Sequence, residues 1–260
     1  MTDGVRMQDV RFYSAALGRE MPYRVFLPAN LSAAQKLPVV YLLHGADNDF
    51  RTWSNDSKVS KFALQGLILV MPEGDFSYYM NAVKTPKDRY EDYITRDLIA
   101  DVESRFPALH QRAGRAVIGI SMGGFGSVDY AFTHPDLYSF AGALSPPIDM
   151  PRRRYSTKRI GQWWRIRKIF GPFGSAERRA RDPFEMVRAA DPSKTAYIYL
   201  TAGEQEPLLQ ANRRFESLLK QRSFAYEFHT LPGGHDWTEW DAQLPGCFES
   251  LLKHLPARDN

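Results

Sequence analysis

The sequence predicts an α/β fold, a mostly parallel twisted sheet with helices on both faces, and three observations carry that expectation. Five short apolar runs end in turn or polar residues, stretches with helical spacing alternate with them, and 260 residues suffice for one large α/β domain with a substantial core. The runs are LPVVYLLHG (37–45), GLILVMPEG (66–74), RAVIGIS (115–121), FAGALS (140–145) and AYIYLTAG (196–203). Continuous apolar character over so few residues marks strands buried on both faces, as parallel strands are. Between them, ITRDLIADVESRF (94–106) and LLQANRRFESLLKQR (208–222) repeat apolar residues every three or four positions, which is helical spacing. EMPYRVFLP (20–28) alternates instead and predicts an antiparallel strand at the sheet edge. No repeat or linker divides the chain, so a single domain over 1–260 is expected.

Composition narrows the class. At 43% hydrophobic and 25% charged residues, with no low-complexity tract, disorder is excluded. No run reaches the roughly 18 apolar residues of a membrane span. The start, MTDGVRMQDVRF, lacks the apolar core of a signal peptide, so a cytoplasmic location is expected. The single cysteine, Cys247, has no partner for an internal disulfide. The net charge of +4 is spread very unevenly: residues 151–181 hold nine arginines, two lysines and one acid, Glu177, a balance of +10 that leaves −6 for the remainder.

In an open α/β sheet, chemistry gathers in loops beyond the carboxyl ends of the strands. One such end carries Gly119-Ile-Ser121-Met-Gly123, a G-x-S-x-G run between an apolar strand and a plausible helix. A serine on so sharp a turn needs tiny neighbours, and the two glycines supply them. The following helix would aim backbone N–H groups at developing negative charge. A serine hydroxyl needs a histidine to take its proton and a carboxylate to orient that histidine, in the chain order Ser, acid, His. His229 falls inside the predicted last strand YEFHTL, and His254 sits on a predicted C-terminal helix. His235, in the glycine-rich loop LPGGHDW, is the candidate by position. For the acid, both Glu204 and Glu206 lie in the loop after AYIYLT, and spacing leaves the choice open. Amides of Met122 and Ala46 occupy the places from which an oxyanion would be held, with His44 bracing the second loop. Tyr79, Asn81, Trp163 and Trp237 are further pocket candidates. The chemistry calls for no metal or organic cofactor.

These pieces together resemble the esterase D-like branch of the α/β-hydrolases, which includes S-formylglutathione hydrolases, feruloyl and acetylxylan esterases, and mycolyltransferases. The matching segments are YLLHG, VMPEG with SYYMN, DYITRDLIADV, GISMGGFGS, DPF, AGEQEPLLQAN and LPGGHDWTEW, and they span nearly the whole chain. The resemblance implies the α/β-hydrolase fold and favours Glu206, which precedes Leu208-Leu209 by one intervening residue, over Glu204. Two departures stand out: glutamate replaces the usual aspartate, and Ala46-Asp-Asn-Asp49 follows His44-Gly45 where relatives carry more glycine.

The resemblance also implies that residues 148–185 form a lid-like insertion roofing the active site, which here is the basic segment. Arginines beside Trp163-Trp164 could hold an anionic ester through charge-assisted hydrogen bonds. The simpler reading is a solvated helical cover, tryptophans beneath and arginines outward. The expected activity is hydrolysis of small acyl or aryl carboxylic esters through an acyl-enzyme. Acyl transfer, thioester hydrolysis of the S-formylglutathione type, and an inert basic binding module are the alternatives. A small-molecule or polysaccharide-linked ester is the expected partner, and nucleic acid is not.

Overall fold

The computed structural model describes residues 2–31, 35–154 and 160–256. Its strands are β1 (Val5–Ser14), β2 (Arg19–Pro28), β3 (Val39–Leu43), β4 (Ile68–Pro72), β5 (Arg115–Ile120), β6 (Phe140–Leu144), β7 (Tyr197–Gly203) and β8 (Tyr226–Leu231). They form one sheet in the order β1-β2-β4-β3-β5-β6-β7-β8. β1 and β2 pair antiparallel, as do β2 and β4, and every pair from β4 to β8 is parallel.

All five apolar runs are strands, and the alternating run is antiparallel as expected. It is not the edge, however, because β1 pairs with β2 over its whole length and takes that place. β1 buries only Val5, Val10, Phe12 and Ser14, a pattern too sparse for periodicity to register.

The central strands are buried on both faces. Val39, Tyr41 and Leu43 face a core completed by the helical run from Tyr90 to Arg105 and the helices Met122–Thr133 and Leu209–Gln221. Val40 and Leu42 face the opposite core, closed by the 3-10 helix Val59–Gln65 and the helix Trp237–His254. Cys247 belongs to that second core; a Cβ on Gly142 of β6 would lie 3.0 Å from its sulfur, and burial pushes the thiol pKa up. It is a packing residue. Among the described residues no helix is long and apolar enough to cross a membrane.

Between β6 and β7 the chain forms a 3-10 turn, Met150–Arg152, and the helices Ile160–Phe170, Ala176–Ala180 and Pro183–Ala189. Lys158 and Arg159 of the basic segment lie outside the described residues. Ile166, Ile169 and Phe170 are buried, and the Phe170 ring meets Tyr78 and Phe125 edge-on. The amides of Val83 and Lys84 donate to the carbonyls of Ile169 and Lys168.

The expected distribution of tryptophans and arginines is only partly met. Trp164 is 61% exposed, while Trp163 is half-buried against the core. Arg178 is only 1% exposed and donates to the carbonyls of Pro151, Met150, Arg153 and Gly171. Arg181 turns inward onto Glu91 at 2.5 Å and Asp129 at 2.8 Å. A guanidinium has five donors in a planar fork, so it can satisfy several acceptors in the interior where a lysine could not.

Candidate active site

Ser121 stands between β5 and the helix Met122–Thr133, with φ 49° and ψ −115°. That positive φ is strained for a non-glycine residue, and the surroundings hold it there. Its N–H donates to the Leu144 carbonyl at 2.8 Å, and its carbonyl accepts from Phe125 N at 3.0 Å. The elbow leaves no space for side chains: a Cβ on Gly119 would lie 2.2 Å from the Gly123 carbonyl carbon, and one on Gly123 2.2 Å from the Leu43 carbonyl oxygen. The two glycines are therefore required by backbone approach.

His235 comes from the loop beyond β8. Its Nε2 is 2.9 Å from Ser121 Oγ, and its Nδ1 is 2.9 Å from Glu206 Oε2. Two interlocked loops set that geometry. Gln205 N donates to the Gly233 carbonyl, Glu204 N to the Leu231 carbonyl, and a Cβ on Gly203 would lie 2.7 Å from the carbonyls of both Gly233 and Gly234. Glu206 is 5% exposed, whereas Glu204 is exposed. A buried carboxylate bonded to the imidazole can fix its tautomer and orientation; a solvated one without that contact cannot. Trp240 meets the His235 ring edge-on, centroids 5.0 Å apart.

Met122 is the first residue of the helix after Ser121. A Cβ on Gly45 would lie 3.6 Å from Ser121 Cβ, so the loop carrying Ala46 passes beside the serine. His44 is fully buried; its Nδ1 is 2.8 Å from the Gly45 carbonyl, and its Nε2 accepts from Gly74 N at 2.9 Å. These bonds occupy both ring nitrogens, so His44 braces the loop.

The pocket candidates fare differently. Tyr79 is fully buried, its hydroxyl donates to the His44 carbonyl at 3.0 Å, and its ring fits between Gly74 and Gly126. It supports the loop from behind and has no free group for a substrate. Asn81 is half-buried and its Oδ1 accepts from Asp92 N at 3.3 Å. Trp237 packs edge-on against Trp53 and Trp240, leaving Trp240 as the ring on His235. Trp163 lies on the helix Ile160–Phe170, half-buried against the main core.

The arginines expected to receive an anion are largely committed. Arg152 pairs with Asp182 and Glu185, Arg153 with Asp149, and Arg165 with Asp47 beside Ala46. Arg152 and Arg153 thus serve the segment's own packing. Among the described residues no group of His, Cys, Asp and Glu could hold a metal ion.

The sequence reading missed Glu239, which lies 3% exposed in the first turn of the helix after His235. Burial, with repulsion from Glu206 and Asp236, pushes its carboxyl up to about 8.

Comparison with known proteins gives this geometry a family. The family model described as "Putative esterase" matches residues 14–251. Esterase Rv1288 of Mycobacterium tuberculosis is 28% identical over 88% of this chain, which spans 56% of that protein, about half its length. An acetyl esterase of Caldicellulosiruptor saccharolyticus is 22% identical, covering 95% of this chain and 98% of its own. Among solved structures, the serine hydrolase FphF of Staphylococcus aureus superposes with a TM-score of 0.83 at 23% identity, covering 97% of this chain and 99% of its own. That likeness shows the α/β-hydrolase fold, and the match over residues 14–251 establishes that the chain belongs to the esterase family.

Proposed function

We propose that this chain hydrolyses carboxylic esters of small acyl or aryl groups through an acyl-enzyme on Ser121. The observation that carries the reading is the continuous bond chain from Ser121 Oγ through His235 to the buried Glu206. Ser121 Oγ attacks the ester carbonyl as His235 Nε2 takes its proton, and the amides of Met122 and Ala46 hold the oxyanion. The tetrahedral intermediate collapses, His235 returns the proton to the departing alcohol, and the acyl group stays on Ser121. Water, deprotonated by His235, then attacks the acyl-enzyme, releasing the acid and restoring the serine. Glu206 holds Nδ1 and steadies the imidazolium formed twice per cycle. The described residues of the 148–185 insertion, 148–154 and 160–185, act as the lid over this site.

The acetyl esterase among the relatives supports a small acyl group. Turnover of p-nitrophenyl acetate, butyrate and octanoate, methyl ferulate and S-formylglutathione tests the assignment. Oxygen esters of short acyl or hydroxycinnamoyl groups are expected to give the highest kcat/KM; an enzyme inert toward every ester in that set would contradict it. A second reading, acyl transfer, is consistent with a 24% identical diacylglycerol acyltransferase/mycolyltransferase of Mycobacterium gordonae covering 97% of this chain. Added alcohol acceptor separates the two: a transferase makes new ester, a hydrolase free acid.

The acid assignment makes a paired prediction. Glu206→Ala is expected to lower kcat by roughly four orders of magnitude. Glu204→Ala, altering an exposed side chain, is expected to leave kcat within about twofold. Steady-state kinetics on p-nitrophenyl acetate check both.

A further inference from the structure

We infer that Glu239 is a positioning residue for the Ser121–His235–Glu206 bond chain, a carboxylic acid that keeps its proton so that the carboxylate of Glu206 can stay on His235. The inference rests on the proposed hydrolysis and adds a residue to it.

Four observations support it. Glu239 is 3% exposed although it is a glutamate in the first turn of a surface helix, and a Cβ on Gly233 would lie 2.8 Å from its Cγ. Its side chain is therefore tucked under the glycine that interlocks the histidine and acid loops. Next, two buried acids share this region. Glu206 Oε1 and both carboxyl oxygens of Glu239 are buried without a well-formed hydrogen bond, and the Ser145 hydroxyl is the group placed to donate to Glu239. Ionised, both acids would place two negative charges in one dry region; a proton on Glu239 removes one charge and adds a donor. Third, among the described residues no lysine or arginine acts on Glu239 to offset a second charge. Among the described residues the charged groups that act on Glu239 are Glu206, from the loop after β7 and bonded to His235 from the loop after β8, and Asp236 at the N-cap of its own helix. Ser145, just beyond β6, and the bonded pair Thr201 and Gln243 contribute only uncharged polar groups. Finally, burial comes first and the two carboxylates second among the causes that push Glu239 to about 8, with the Ser145 hydroxyl pulling the other way.

Loss of the Glu239 proton would set a second anion against Glu206. Repulsion then draws Glu206 off His235 Nδ1, the imidazole loses its orientation, and kcat falls while substrate affinity is unchanged. The sign for stability follows from the same shift. A carboxyl raised from its unfolded value of 4.5 to about 8 gives stability that is fully present below the lower value and lost as pH rises through the upper one.

The test uses the whole chain and three variants: Glu239→Gln, which keeps the shape without the charge; Ser145→Gly, which suits the φ of 51° and deletes the opposing hydroxyl; and Ser121→Ala. Each is assayed on p-nitrophenyl acetate from about pH 6 to 9.5 and melted over about pH 5 to 9.5. Wild type should lose kcat through a limb near pH 8. Glu239→Gln should keep its neutral kcat within about threefold and lack that limb, with KM unchanged. Ser145→Gly should move the limb to higher pH. In melts, wild type should lose stability relative to Glu239→Gln as pH rises from about 5 to 8. A purely packing role would lower Tm in the variant and leave the limb in place. Superimposable pH profiles for wild type and Glu239→Gln, beside an inactive Ser121→Ala, overturn the positioning role and leave the esterase mechanism standing. An active Ser121→Ala overturns the mechanism itself, and with it the positioning role. Should Glu239→Gln not fold, a limb in Ser145→Gly at the wild-type pH overturns the inference.

Discussion

Ser121→Ala is expected to lower kcat on p-nitrophenyl acetate by roughly five to six orders of magnitude. The fold should be untouched, because the hydroxyl's hydrogen bond runs to His235 at the mouth of the site and nothing in the core depends on it. The backbone there is another matter. Ser121 holds a φ of 49° between two glycines whose Cα atoms admit no side chain, so the elbow is fixed by β5, β3 and the helix behind it. Alanine preserves that frame and removes only the nucleophile. Progress curves against enzyme-free buffer measure the loss, and an unchanged circular dichroism melt shows that it is chemical.

Arg181→Ala is expected to cost about 3 to 5 kcal/mol of stability near neutral pH, the scale for breaking a buried ion pair by removing one partner. Arg181 ties the segment between β6 and β7 to Asp129 on the helix that follows Ser121 and to Glu91. Asp129 is fully buried; burial, its largest influence, holds its carboxyl at about 6 even with Arg181 present. Glu91 behaves oppositely: burial works to raise it, but His134 and Arg181 outweigh burial and bring it to about 2. Without Arg181 the Asp129 charge keeps only the smaller help of His134 and the Thr133 hydroxyl against burial and the neighbouring Glu91, and the native state gains by taking up a proton. The native variant therefore binds more protons than the unfolded chain between the ordinary aspartate range and its raised value, so its stability rises as pH falls. Denaturant melts should show a deficit that shrinks from about pH 7.5 to 5. A constant deficit would mean that Asp129 is not the group left exposed to the loss.

How much of this was legible in the sequence depends on how local each signal is. The parallel strands are legible because burial on both faces leaves an unbroken apolar run, and the elbow because glycine spacing states its own steric reason. β1 is not legible, since one face is solvated and only four of its residues turn inward. His235 is found by chain order and its glycine loop. Glu206 is separated from Glu204 only by likeness to related loops; the physical difference is burial, created by the close approach of Gly203 to the carbonyls of Gly233 and Gly234. Asp236 and Glu239 have the spacing of an ordinary helix start, so nothing in the sequence marks Glu239 as lying beneath Gly233. The basic segment reads as a solvated face with a possible anion site, yet Arg178 and Arg181 are spent on carbonyls and carboxylates distant in sequence. Trp237 is the nearest tryptophan in sequence to His235, but helical geometry brings Trp240 onto the imidazole instead.

The central claim is a covalent acyl group on Ser121. Acid quenching during steady turnover of p-nitrophenyl acetate, followed by peptide mass mapping, tests it most directly. The expected result is one acetyl group on the peptide containing Ser121, absent from Ser121→Ala and reduced at longer delays after substrate is exhausted. An enzyme that turns over the ester with no acetyl on that peptide, or with acetyl on another residue at the same kinetics, would contradict the account.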